Sequence, residues 1–183
     1  MTNKRSEFLP VIQDYKGILI HDHFKPYYSI DCKHGECNAH ILRYLKAGVD
    51  YYNNIACARM INLLQLSLHK KKELIKQEIY EYPPDELSKI EKEYDEIIDN
   101  ELITFHNKNP NIKKKYIPEY IKTLQRMKEY KKEHLLFLHD FDVPFDNNLA
   151  ERSIRLIKTR KKVSGQVKSI ENGNELLMLM SIN

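Results

Sequence analysis

Residues 137–169 read FLHDFDVPFDNNLAERSIRLIKTRKKVSGQVKS, and the second half of this stretch sets one acid among a long run of cations. Asp146 has the side-chain chemistry of a helix N-cap, and Asn147 and Asn148 fall in the first turn. No glycine or proline interrupts residues 149–160, so the pattern predicts a helix from about Asn147. At about 100° per residue, Leu149, Ala150, Ile154, Leu156 and Ile157 share one arc, while Asn147, Glu151, Arg155 and Lys158 share the opposite one. The apolar arc must be buried, and the polar arc faces something else.

Charge suggests what that is. From Glu151 to Ser169 the cations are Arg152, Arg155, Lys158, Arg160, Lys161, Lys162 and Lys168, and Glu151 is the only acid. A carboxylate held among cations suits a polyanion with a divalent ion between them, since a hard ion takes carboxylate oxygens and the cations take phosphates. The same spacing also fits an amphipathic helix with a solvated basic face.

The wording of the stretch favours the first reading. PFDNNLAERSIRLIKTRKKVSGQVKS resembles the C-terminal signature of bacterial insertion-sequence transposases of the insertion-sequence-sixty-six type: Asp-Asn-Asn-x-Ala-Glu-Arg, then Arg, Lys, Lys and Ser-Gly at these spacings. A second block, GILIHDHFKPYY at 17–28 followed by CNAHILRYL at 37–45, is similar to upstream blocks of that family and stands in the same order. The resemblance implies an RNase H-like fold with a DDE triad that cuts and joins DNA, in which Asp22 is the second acid and Glu151 the third. Both would be ligands of Mg²⁺ or Mn²⁺. It further implies that Asn147, Asn148, Arg152, Arg155, Lys158, Lys161 and Lys162 place the DNA backbone or support the acids, with His40 and Arg43 as further DNA-facing candidates.

Composition agrees with a helix-rich globular chain: 183 residues, 42% hydrophobic, 31% charged and five glycines. The net charge of +4 and a pI near 8.8 are only mildly basic, so DNA binding follows from the clustering and not from totals. There is no apolar run of membrane-spanning length, and the first ten residues, MTNKRSEFLP, lack the apolar core of a signal peptide. Three cysteines, Cys32, Cys37 and Cys57, make an odd count that fits reduced thiols. A cytoplasmic, nucleoid-associated protein without a membrane partner is the expectation.

Gly17 opens the run Ile18, Leu19, Ile20, which reads as a strand buried on both faces, with Asp22 at its C-terminal end between His21 and His23. That is where open α/β sheets place ligands. Cys32, His34, Cys37 and His40 lie at spacings that could be taken for zinc ligands, although a structural zinc site wants two paired knuckles and these four crowd into nine residues. His40 and Arg43 fall one turn apart on a helix predicted to start near Glu36.

Helical spacing continues over residues 49–82, as one helix up to Pro83-Pro84, then in a second helix capped by Asp85, and in a third over 116–137 with Pro118 at its start. Three helices between Asp22 and Glu151 far exceed a minimal connection. The resulting expectation is a mainly α chain with a small α/β remnant: a partial RNase H-like core at 1–48, a helical insertion lobe at 49–136, and the catalytic helix with its basic segment at 137–183. Acid and lysine alternation in the lobe also allows a short coiled-coil arm for self-association.

The family's first acid lies on a strand upstream of the Gly-Ile-Leu strand, and only sixteen residues precede Gly17. Asp14 stands in the wrong place for it. The resemblance therefore implies the C-terminal part of a catalytic domain, inactive by itself, with a homodimer or a complement from an upstream reading frame as the expected protein partner. Against it stand two further expectations: a DNA-binding or dimerising remnant without chemistry, and a zinc-stapled helical module.

Overall fold

A computed structural model of the protein describes residues 14–148 and Arg152. The chain divides into two compact units, Met1–Asp146 and Asn147–Asn183, and the fold described here is that of the first. Its elements are β1 (Ile18–His21), β2 (Lys33–Glu36), α1 (Asn38–Tyr52), α2 (Ile55–Lys76), α3 (Pro84–Lys108), α4 (Glu119–Glu129) and α5 (Lys131–His139). Short 3₁₀ turns stand at Lys25–Ser29 and Lys114–Tyr116. The described part is mainly helical around a small parallel sheet, as expected. No helix among the described residues is long and apolar enough to cross a membrane.

β1 and β2 pair in parallel, Ile18 opposite Lys33 and His21 opposite Glu36. The polar KHGE strand has no apolar alternation, and the sequence reading misses it. It forms because Gly35 leaves room for Ile20, whose Cδ1 would lie 2.5 Å from a Cβ at that position. Ile18, Leu19 and Ile20 are half-buried, whereas a strand buried on both faces was expected. Among the described residues only β2 pairs with β1, and α5 packs against β2.

The helix expected over 49–82 is interrupted. Asn53 adopts a left-handed conformation (φ 47°), and its N–H bonds the carbonyls of Gly48 and Val49, which ends α1. Asn54 then caps α2, its Oδ1 accepting from the Cys57 amide at 2.8 Å. Asparagine tolerates the left-handed region and is among the best N-caps, so two adjacent asparagines make a helix–helix corner. α3 starts one residue before the expected cap: Pro83 holds the cap position, Pro84 the first turn, and Asp85 and Glu86 lie in that turn at the positive end of the helix dipole. The helix expected over 116–137 breaks at Tyr130 (φ −111°, ψ 36°) into α4 and α5. That break turns the Tyr130 ring onto His23 and Tyr28, at 4.6 and 4.9 Å.

The core is helical: Ile41, Leu45, Met60, Leu64, Ile97, Leu124, Met127 and Leu135 are all at most 1% exposed. Tyr94 is fully buried within it, and its hydroxyl donates to the Met127 carbonyl at 2.9 Å, which satisfies the one polar group the ring brings inside. Lys128–Asp99, Lys131–Asp95 and His139–Glu91 tie α3 to α4 and α5 along the surface. Exposed pairs of this kind contribute at most about 1 kcal/mol each, so burial holds the helices and the pairs set their register.

Two contacts bring the chain back to the sheet after α5. Lys71, 5% exposed in α2, donates from Nζ to the carbonyls of Phe137 at 2.9 Å and Val143 at 2.8 Å, with the Phe141 ring 5.1 Å away. Burial pushes this ammonium below the ordinary lysine range. The Asn38 amide at the start of α1 donates to the Phe145 carbonyl at 3.1 Å. The loop entering the Asp146–Asn148 sequence is thereby fixed at the C-terminal end of the two strands.

Candidate functional site

Asp22 follows β1 directly and is exposed at the C-terminal end of the sheet. The turn that carries it is held from beneath. His23 adopts φ 60°, a conformation uncommon for any residue with a side chain. Its Nδ1–H donates to Glu36 Oε1 at 2.5 Å, and the Tyr28 hydroxyl donates to the same oxygen. Glu36 ends β2 and is only 4% exposed. Burial pushes its carboxyl up, but the hydrogen bonds from His23 and Tyr28 outweigh that and hold it below the usual carboxylate range. The Tyr28 hydroxyl is pushed far up by burial and by this carboxylate.

The histidines around this carboxylate have definable tautomers. His34 Nε2 faces the Ile30 carbonyl at 3.0 Å and must donate to it, which leaves His34 Nδ1 as an acceptor for His21 Nε2–H at 3.2 Å. His21 Nδ1 then carries a lone pair in a buried place without a hydrogen-bond partner. Desolvation lowers the His21 pKa to about 4. His134, fully buried in α5, sets its Nδ1 3.3 Å from Asn38 Oδ1, while the Asn38 amide group donates to the His134 carbonyl at 2.9 Å. Its pKa is lowered by burial to about 3. His21 and His134 are thus neutral imidazoles packed around one buried anion.

Of the residues singled out in the sequence, His40 lies half-buried in the first turn of α1 and Arg43 is exposed one turn later. That helix begins at Asn38, because Glu36 belongs to β2. Asn147 is half-buried, and Asn148 and Arg152 are exposed. Glu151, Arg155, Lys158, Lys161 and Lys162 lie outside the described residues. The zinc reading does not hold up: Cys32 and Cys37 stand at opposite ends of β2, about 16 Å apart along an extended chain, where zinc–sulfur bonds of about 2.3 Å would have to bring them together. Among the described residues Cys32, Cys37 and Cys57 are not joined in disulfides.

Among the described residues no three His, Cys, Asp or Glu side chains are grouped so as to hold a metal ion. Asp22 offers one exposed carboxylate, the hard-oxygen donor that Mg²⁺ or Mn²⁺ takes, and it fits such an ion as one ligand of several. The sequence reading missed Glu36, Tyr28, Tyr130 and His134, and took His34 only as a zinc candidate. His-x-His after a strand was the one visible signal, since Tyr130 and His134 reach the site only through the break between α4 and α5.

Comparison with protein families finds a match over residues 1–175 to the family described as Transposase IS66 family. No curated protein and no solved structure matches the chain.

Proposed function

The chain belongs to the IS66 family of transposases, and from that premise we propose that it supplies the part of an RNase H-like DDE catalytic region in which Asp22 and Glu151 are two of the acids that cut and join DNA at insertion-element ends. The observation that carries this reading is the Asn38–Phe145 hydrogen bond. It holds Phe145, two residues before Asn147, at the same end of the sheet as Asp22, although most of the described chain lies between them. The parallel pairing of β1 with β2 supports it further, because ligand sites in open parallel sheets form at the carboxyl ends of the strands.

In this reading residues 49–136 are an inserted helical lobe. A pair of divalent ions, Mg²⁺ or Mn²⁺, when bound, activates the attacking oxygen and stabilises the leaving oxygen of an in-line phosphoryl displacement. Asp22 and Glu151 contribute carboxylate oxygens to them. Arg152, Arg155, Lys158, Lys161 and Lys162 neutralise phosphates of the bound strand, Asn147 and Asn148 place the DNA backbone or support the acids, and His40 and Arg43 are further DNA-facing residues. The Glu36–His23–Tyr28 cluster fixes the turn from which Asp22 projects. The protein would act in the cytoplasm on nucleoid DNA.

Fe²⁺ in place of Mg²⁺ tests this without requiring turnover. With hydrogen peroxide as oxidant, ascorbate to return Fe³⁺ to Fe²⁺, and a bound duplex, hydroxyl radicals released at the ion cut the DNA backbone locally. The expected result is a discrete cluster of cuts with the full chain, lost in Asp22→Asn and in Glu151→Gln. The same cuts persisting in both variants would remove the two acids from the site.

A further inference from the structure

The end of the helical lobe away from the sheet carries side chains that the site around Asp22 does not use. At the corner between α1 and α2, Tyr51 is 82% exposed and Tyr52 56% exposed; Tyr116, in the turn before α4, is 64% exposed. The two regions meet, since the Tyr52 ring lies 5.1 Å from that of Tyr120, and a Cβ on Gly48 would come within 2.9 Å of the Tyr120 Cβ. Lys113, Lys114 and Lys115 run directly into Tyr116, with the Lys115 ammonium 4.7 Å over its ring.

None of these three lysines has an acidic partner among the described residues. Two acids of the adjoining elements already have a lysine partner, Asp50 with Lys46 at 3.1 Å and Glu119 with Lys122 at 3.2 Å, while Glu101 accepts from the uncharged Asn54 amide at 2.7 Å. The result is a run of three lysines without a carboxylate partner beside exposed phenol rings, which offer hydrogen-bond donors at their tips. Phosphates flanked by sugars match this in both charge and shape. A second copy matches it poorly, because a two-fold contact through this surface would set one lysine run against the other.

We infer that this end of the lobe is a second contact for the backbone of duplex DNA, separate from the 147–162 segment. The inference rests on the reading of Asp22 as the place where DNA is cut. α1 runs from Asn38 beside the sheet to Tyr52 at the lobe end, and its 15 residues span about 22 Å. On a straight duplex the contact therefore falls roughly six base pairs from the strand at Asp22.

The test uses the full chain and a 30-base-pair duplex of unrelated sequence, with affinity measured by fluorescence anisotropy across a salt series. In Lys113→Ala/Lys114→Ala/Lys115→Ala the slope of log affinity against log salt should fall by two to three, about 0.9 per lost phosphate contact, and the hydroxyl-radical footprint should shorten on one side only. The triple Lys→Arg variant should keep both. An unchanged slope and footprint in the alanine variant, with wild-type binding intact, overturns this contact and leaves the Asp22 reading standing. A changed sedimentation coefficient with an unchanged slope assigns the surface to self-association and likewise overturns it. A wild-type chain that binds no duplex at any salt removes both readings.

Discussion

The amide of Asn38 donates to the carbonyl of Phe145 at 3.1 Å, joining the residue that starts α1 to the one that precedes Asp146. His21 and Glu36 are opposite one another at the ends of β1 and β2, so this bond also sets Phe145 beside the turn that carries Asp22. Lys71 secures the same loop from the helical side. The geometry of the described unit thus brings Phe145 to the end of the two-stranded sheet that carries Asp22.

The buried Glu36 carboxylate gives a first prediction. Glu36→Leu leaves the Tyr28 hydroxyl and His23 Nδ1–H without their acceptor and removes what holds His23 at positive φ. Stability should fall by about 2–3 kcal/mol in urea unfolding. Glu36→Gln keeps an acceptor oxygen and should cost less than half as much. Equal losses in the two variants would show that the hydrogen bonds are not what Glu36 contributes.

The two neutral histidines fix the direction of the pH dependence. Their folded pKa values, about 4 for His21 and about 3 for His134, lie below the ordinary 6.5, so between these limits the unfolded chain binds more protons than the folded one. Stability should be level above pH 7 and fall as pH drops from 6.5 towards 4, with a slope of at most about 2.7 kcal/mol per pH unit for two protons. The Glu36 carboxylate, held below its ordinary value, adds a loss in the same direction below about pH 4.5. A melting temperature that rose on acidification through this window would contradict the neutral assignments.

Lys71→Met keeps the aliphatic stem and deletes the ammonium. The Phe137 and Val143 carbonyls lose their buried donor, at a cost of about 2 kcal/mol after allowing for the charge no longer buried. Hydrogen exchange should speed up locally at the Asp140 and Val143 amides, which close this turn. Uniform exchange changes across all helices would instead indicate a general packing defect.

Gly48→Ala probes the corner between α1, α2 and α4. Its new methyl would lie 2.6 Å from Cys57 Sγ and 2.9 Å from the Tyr120 Cβ, so α1 and α4 must separate. A loss of about 1–3 kcal/mol is expected. A neutral substitution would mean that these helices yield more easily than their packing implies.

What could be read from the residues and what could not divide along physical lines. The Ile18–Ile20 strand and the long α2 and α3 helices follow from local periodicity, and Asp22 stands out only through its resemblance to a family block. The corner at Asn53 and Asn54 carries ordinary turn chemistry, but helical spacing runs through it and hides it. β2 was hidden because its stabilisation comes from Gly35 accommodating Ile20 and from α5, neither of which leaves a pattern within KHGE. Glu36 looked like a helix-start acid; it is a buried anion whose partners, Tyr28 and His23, are assembled by the fold.

If Asp22 and Glu151 bind one divalent centre, as proposed, Mn²⁺ titration of the full chain followed by electron paramagnetic resonance reads their shared contribution. Asp22→Asn and Glu151→Gln should each weaken Mn²⁺ binding by at least tenfold, and the loss in the double variant should depart from the sum of the two single losses, as for groups sharing one site. Two independent, additive losses, or Mn²⁺ binding unchanged in either single variant, would contradict the shared centre.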